Sequence, residues 1–207
     1  MKSIRILLIC LIVFPFIGVS QILKNIDEVT PFHEELAAVR KGDKWAFINT
    51  KGDIVIDYRE DLVKSKTKNK TTSYPYFSDG RCLITQKING IVYYGYMDIT
   101  GEIVIKPEYL NATNFDNGHA IVLKVSKEEL GRNDLLDKKV VSYSYDEIVI
   151  DHLGAQKTFL IGPVHLVYKK DRLRKPPMIQ SYFLSPNLVA SKSKDSGWQL
   201  YTLNSSN

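Results

Sequence analysis

Four stretches of this 207-residue chain are rough copies of one another, and this self-similarity limits the possible folds more than any other feature. The two clearest are residues 31–58 (PFHEELAAVRKGDKWAFINTKGDIVIDY) and 76–109 (YFSDGRCLITQKINGIVYYGYMDITGEIVIKPEY). A third copy starts at residue 115, is split by a charged insertion at 127–141, and resumes as far as residue 154. A fourth, worn copy occupies 184–207. A unit this short cannot bury its own apolar face, so neighbouring units must stack to make a core.

Each copy reads as a meander of short strands. In the first, residues 36–40 alternate, with Ala37 and Val39 on one face, and Lys41-Gly42-Asp43 is turn material. Trp45 to Ile48 is aromatic and branched. The stretch from Asn49 to Gly52 forms a second turn, with Gly52 suited to its left-handed position, and 54–58 forms a third strand. The second copy runs in step: Phe77 matches Phe32, Asn89-Gly90 is a hairpin signal, and Tyr94-Gly95-Tyr96-Met97-Asp98 matches Trp45-Ala46-Phe47-Ile48-Asn49. No window shows a 3.6-residue apolar period. The expected fold is therefore all-β, an array of short antiparallel β-meander repeats. It is either an open hairpin stack or a small propeller-like ring, and the insertion and truncated last unit favour the open form. A short helical turn is expected within 128–136. The basic stretches 64–72 and 169–178 are expected to be excursions from the pattern.

The chain starts with a processing signal. Lys2 and Arg5 form a basic n-region, residues 6–16 an apolar core, and Gly18-Val19-Ser20 a small-residue cleavage site. Cys10 lies inside the apolar core after Ile9, which argues against a lipoprotein site. The expected mature chain is 21–207, exported to the periplasm, the cell surface or the medium of a bacterium. Removing two cations and no acid takes the net charge from +5 to +3, too small an excess to indicate a nucleic-acid partner. No later stretch resembles a membrane span. Cys82 is the one cysteine left, so the fold must rest on packing rather than disulfides.

These elements together resemble the WG-repeat (KWG-type) family. In the first copy they are Phe32, Leu36-Ala37, Trp45-Ala46, Asn49 to Gly52 and the strand 54–58. In the second they are Phe77, Tyr94-Gly95, Asp98 to Gly101, the strand 103–105 and Pro107-Glu108-Tyr109. No copy has the literal Trp-Gly pair: Trp45 precedes Ala46, Gly95 follows Tyr94, and Trp198 precedes Gln199. The resemblance implies an exported or surface-associated β-repeat protein without established catalytic activity, and it supplies no site residues.

The chemistry-bearing residues fall into the repeat register. Cys82 aligns with Ala37 and Ala120, a small core position rather than a nucleophile. His33, His119, His152 and His165 show no metal-ligand spacing. Asn49, Asp98 and Asp151 offer one oxygen per turn, which suits capping of their own backbone better than calcium. No phosphate loop or nucleophile elbow is present. No catalytic, cofactor or metal residue is therefore assigned, and no cofactor is expected. Two groups are candidates for a binding surface: Tyr93, Tyr94 and Tyr96 in the aromatic second copy, and the basic run Lys64, Lys66, Lys68 and Lys70. The expectation is a non-catalytic protein- or glycan-binding scaffold module of the cell envelope. The alternatives are an envelope hydrolase with carboxylates scattered through the repeats, and a polyanion- or membrane-surface binder acting through the basic loops.

Overall fold

The computed structural model describes residues 23–66, 72–133, 138–166, 177–193 and 197–203. The regular elements among them are all strands, as the repeat pattern requires. The first unit is an antiparallel sheet in the order β1 (Glu28–Val29), β2 (Ala37–Lys41), β3 (Lys44–Ile48), β4 (Ile54–Arg59). A two-stranded ribbon follows, β5 (Ser65–Lys66) and β6 (Ser73–Tyr74). The second unit is β7 (Cys82–Ile88), β8 (Ile91–Met97) and β9 (Ile103–Ala112). The third is β10 (His119–Asn133), β11 (Lys138–Asp151) and β12 (Gln156–Leu166). These two units share one six-stranded sheet because β9 pairs with β10, through Ala112 with Val122 and Tyr109 with Lys124. The last sheet is β13 (Tyr182–Ser185), β14 (Leu188–Ser193) and β15 (Gly197–Thr202).

Local chemistry repeats with the units. Each of the first three opens on a two-residue turn whose central residues both have positive φ: Glu34 and Glu35, Asp79 and Gly80, Asn117 and Gly118. Turns of that hand match the right-handed twist of the strands they join. The second turn is held by a side chain, as expected. Asn49 Oδ1 accepts from the N–H groups of Lys51 (2.9 Å) and Asp53 (3.0 Å). Asp98 Oδ1 accepts from Thr100 (2.9 Å) and Glu102 (3.2 Å), and Asp151 Oδ1 from Leu153 (2.9 Å) and Ala155 (3.0 Å).

Units stack through aromatic contacts. Phe77 meets Phe47 of the preceding unit edge-on, with ring centroids 4.8 Å apart, and Phe115 meets Tyr96 at the same 4.8 Å. Both phenylalanines are 1 % exposed, whereas Phe32, which opens the first unit, is 50 % exposed. The register of strand faces follows. Ala38 and Phe47 of the first unit pack on Cys82, Ile84 and Met97 of the second. Leu83 and Tyr96 pack on Ala120, Val122 and Ile150 of the third. Ile121 and Val149 then pack on Val189 and Leu203 of the last. Hydrogen bonds stitch the same seam: the Glu34 carboxylate accepts from the N–H groups of Asp79 (2.6 Å) and Gly80 (2.8 Å), and Asp79 Oδ2 accepts from Gly118 N–H (2.7 Å). Among the described residues the core clusters join successive units and none joins the last unit to the first, the arrangement of an open stack.

One expectation is corrected. Over 128–133 the insertion is not helical, because β10 and β11 continue as a ribbon from the pair Lys127–Tyr143 to Asn133–Lys138, with a bulge between Glu129 and Gly131. The β-rich arm at 140–145 (Val-Val-Ser-Tyr-Ser-Tyr) templates the charged arm opposite, overriding its local composition. Residues 134–136 of that expected turn lie outside the described residues.

Two outcomes follow. A methyl group on Gly95 would sit 2.5 Å from the Ile105 carbonyl oxygen and 2.6 Å from Pro107 N, both backbone atoms of β9. Gly95→Ala is expected to cost about 1–3 kcal/mol in urea unfolding, and an unchanged midpoint would contradict this close approach. The Asp98 carboxyl is held below its ordinary value, first by the Thr100 hydroxyl (2.6 Å) and then by backbone N–H groups, against a smaller opposing effect of burial. A lowered folded value means this stabilisation is present above the ordinary carboxylate range and is lost as pH falls through it. Asp98→Asn, which copies Asn49 of the first unit, is therefore expected to flatten the fall in stability as pH drops below the ordinary carboxylate range while changing little at pH 7.

Candidate functional site

The place where the repeat pattern breaks is also where side chains converge. The ribbon β5–β6 lies between the first and second units and roofs a cleft of about 400 Å³. Its floor is Leu83, Tyr94 and Ala112, from strands of the second unit. Its walls carry Lys64, Lys66, Tyr76 and the asparagines Asn111 and Asn114. The segment leading into the ribbon is tied to the second unit by backbone bonds: Val63 N–H donates to Leu83 O (3.1 Å) and Thr85 N–H to Asp61 O (2.8 Å). Side chains tie the ribbon itself, since Ser65 Oγ donates to Asn114 Oδ1 (3.0 Å) and the Tyr76 hydroxyl to Lys66 O (3.4 Å).

The electrostatics are one-sided. Two lysines and no carboxylate line the cleft among the described residues. Lys64 Nζ lies 5.6 Å over the Trp45 ring, so its ammonium is directed towards the first unit. Tyr94 is half-buried, and burial raises its hydroxyl above the ordinary tyrosine value, so it stays a neutral hydrogen-bonding group at neutral pH. Cations, neutral hydroxyls and amides around an aromatic floor can bind an oxygen-rich anion.

Three of the seven candidate surface residues meet here: Lys64, Lys66 and Tyr94. Tyr93 points to the opposite face of β8, beside Ile88, Pro107 and Lys124 in a shallow groove of about 350 Å³. Tyr96 offers no surface. It is fully buried, its hydroxyl donates to Thr113 O (2.7 Å), and its ring supports Phe115. Alternation along β8 puts Tyr94 and Tyr96 on one face, but stacking of the third unit covers only Tyr96. Lys68 and Lys70 lie outside the described residues. The sequence reading missed Asn111 and Asn114. A visible signal was the polar Asn111 between the apolar residues Leu110 and Ala112 of β9.

The remaining chemical candidates serve the scaffold. Cys82 is 1 % exposed within the seam between the first two units, and burial pushes its thiol well up. His152 stacks on Phe115 with centroids 5.0 Å apart, and His33 Nε2 lies 3.0 Å from the Tyr74 hydroxyl. Among the described residues no group of three or more His, Cys, Asp or Glu side chains gathers in a form that could hold a metal. No helix among them is long and apolar enough to cross a membrane. Glu147, 2 % exposed, accepts from the N–H groups of Ser181 (2.7 Å) and Gln180 (3.2 Å) and so pins the chain entering the last unit. A second cleft, of about 550 Å³, opens between β12 and the last sheet, with Phe159, His165, Lys192 and Tyr201 on its lining.

A family model, the WG containing repeat, matches residues 22–45 and 94–127. These two stretches match WG-type repeats. The first match ends on Trp45 and the second starts on Tyr94, the two residues aligned at the family's tryptophan position. No curated protein and no solved structure matches the chain. In these WG repeats the residue after the aromatic is where β9 crosses closely in the second unit, which gives a physical reason for the glycine at Gly95.

The placement of Cys82 has a direct consequence. Its thiol is expected not to react with a thiol-specific reagent at pH 8 in the folded protein and to react fully in denaturant, as followed by mass spectrometry. Rapid native labelling would mean that the seam between the first two units opens.

Proposed function

We propose that this WG-repeat chain is an exported, non-catalytic binding module that holds an acidic glycan in the cleft beneath β5–β6. The observation that supports this reading is the meeting of Lys64, Lys66, Tyr76, Tyr94 and Asn111 around one open cleft of about 400 Å³. A uronic acid suits it chemically: lysines for the carboxylate, asparagine and tyrosine groups for ring hydroxyls, and an aromatic floor for the sugar face. The rest of the stack serves as a rigid mount. For export, the basic n-region, apolar core and small-residue site at 18–20 support the reading.

The binding test is a titration of the mature chain with short acidic and neutral oligosaccharides, followed by NMR. The expected result is saturable binding of oligogalacturonate, with shifts confined to 64–66, 76, 94 and 111–114, and no binding of neutral gluco-oligosaccharides. Lys64→Ala with Lys66→Ala is expected to weaken binding about tenfold or more, equivalent to about 1.4 kcal/mol, and added salt should weaken it as well. Equal binding of neutral sugars, shifts elsewhere, or turnover of the oligosaccharide would overturn the proposal. For export, expression with the leader intact should yield an extracytoplasmic protein starting at Gln21. Retention of Met1 in the cytoplasm would refute it.

A further inference from the structure

The chain holds two Asn-Gly pairs, Asn89-Gly90 and Asn117-Gly118, and each forms the central residues of a tight turn. Their backbones are alike: φ is 52° at both asparagines, 83° at Gly90 and 82° at Gly118. Asn-Gly is favoured there because both positions need positive φ. The same pair is chemically labile, and asparagine is among the thermolabile side chains. Glycine has no side chain to keep its amide nitrogen away from the asparagine side-chain carbonyl carbon, so that nitrogen can attack it. The two turns share residue types and conformation and differ in what surrounds them.

The turn of the third unit is locked. Gly118 N–H, on the nitrogen that would attack, donates to Asp79 Oδ2 of the second unit (2.7 Å). Asn117 Nδ2, the nitrogen that would leave, donates to Asp116 Oδ1 (3.1 Å), and His119 Nδ1 lies 3.1 Å from Asn117 O. The His152 ring closes the other side, since a Cβ added to Gly118 would lie 3.6 Å from its Cε1. The β7–β8 turn has none of these restraints. It caps a hairpin that ends on the pair Ile88–Ile91, and residues 86–90 are exposed. Among the described residues neither the Gly90 N–H nor the Asn89 side chain has a hydrogen-bond partner. A Cβ added to Gly90 would meet nothing within 4 Å.

We propose that Asn89 is a site of covalent self-modification, its side-chain amide converted to a carboxylate through attack by the Gly90 nitrogen, while the seam between units keeps Asn117 intact. The Gly90 nitrogen bonds to Asn89 Cγ and gives up its proton. The Cγ–Nδ2 bond breaks, and Nδ2 leaves with that proton as ammonia. Water then opens the resulting cyclic imide at one of its two carbonyls. Opening at Cγ leaves an ordinary aspartate, and opening at the backbone carbonyl leaves an isoaspartyl linkage with the chain running through Cγ. One water is consumed and one ammonia released, and no oxidant or reductant is needed. Closing the imide ring requires the tight turn to open. At the exposed hairpin tip that breaks few contacts, whereas at the seam it breaks the bonds to Asp79 and Asp116. The product places a new negative charge beside Lys87 at the tip of β7–β8.

The test is incubation of the folded mature chain at mildly alkaline pH, followed by peptide mass spectrometry with fragment ions that separate positions 89 and 117. The same incubation in denaturant is the reference, where both pairs should convert at similar rates. In the folded chain Asn89 is expected to convert at least about tenfold faster than Asn117, the ratio given by a difference in opening free energy of about 1.4 kcal/mol. Hydroxylamine, which cleaves a chain at a cyclic imide, should cut the folded protein after position 89 and not after 117. Asp79→Gly removes the carboxylate and keeps a residue suited to the positive φ of 52° at that position. It should raise conversion at Asn117 towards that at Asn89. An Asn89 that stays intact in the folded chain while it converts in denaturant would overturn the proposal. So would a ratio of rates no greater in the folded chain than in denaturant, or no rise at Asn117 in Asp79→Gly. Should Asp79→Gly not fold, the comparison of folded and denatured unaltered chain decides alone.

Discussion

The structure depends on seating one unit's phenylalanine against the middle-strand aromatic of the unit before it. Phe77 against Phe47 and Phe115 against Tyr96 are the same contact made twice, at the same 4.8 Å separation. A three-stranded meander has two faces and too little apolar surface to be stable alone. Burying two large rings at each seam supplies what local pairing does not, at about 1.5–3 kcal/mol for each large side chain removed from water. Among the described residues Cys82 is a lone buried thiol, and no disulfide there substitutes for that burial. The carboxylates of Glu34 and Asp79 then set the seam's register, since each accepts from a turn of the following unit.

This constraint also explains where binding chemistry can reside. Positions inside the register are committed to stacking, and for that reason Tyr96, Cys82 and His152 are occupied structurally. Free chemistry is left at departures from the register: the ribbon β5–β6 between two units, the extended β10–β11 arm and the last sheet. The ribbon brings lysines from outside the repeat over an aromatic floor that belongs to it. The cleft thus combines a mobile class of side chain with a floor fixed by the core.

Much of the scaffold was legible in the chain. The capping role of Asn49, Asp98 and Asp151 followed from one oxygen per turn and a glycine three residues later, and the structure holds all three turns that way. The alignment of Cys82 with Ala37 and Ala120 placed it in the core. The ribbon at 127–133 was not legible, because a charged stretch without apolar alternation takes its strand from the partner arm it pairs with. Of the candidate site, Lys64, Lys66 and Tyr94 were named from composition alone. Their meeting with Tyr76, Asn111 and Asn114 depends on how the ribbon folds over the second unit.

The sequence by itself determined the unit, its turns and the alternation of its faces, because turn geometry and period-two patterning are short-range properties of neighbouring residues. Only the tertiary structure decided which of two equivalent-looking aromatics is buried, since Tyr94 and Tyr96 share a face and differ only in what the next unit covers. Only it decided that the second and third units fuse into one sheet. Those outcomes rest on contacts between residues far apart in the chain, and period-two patterning carries no information about which faces meet.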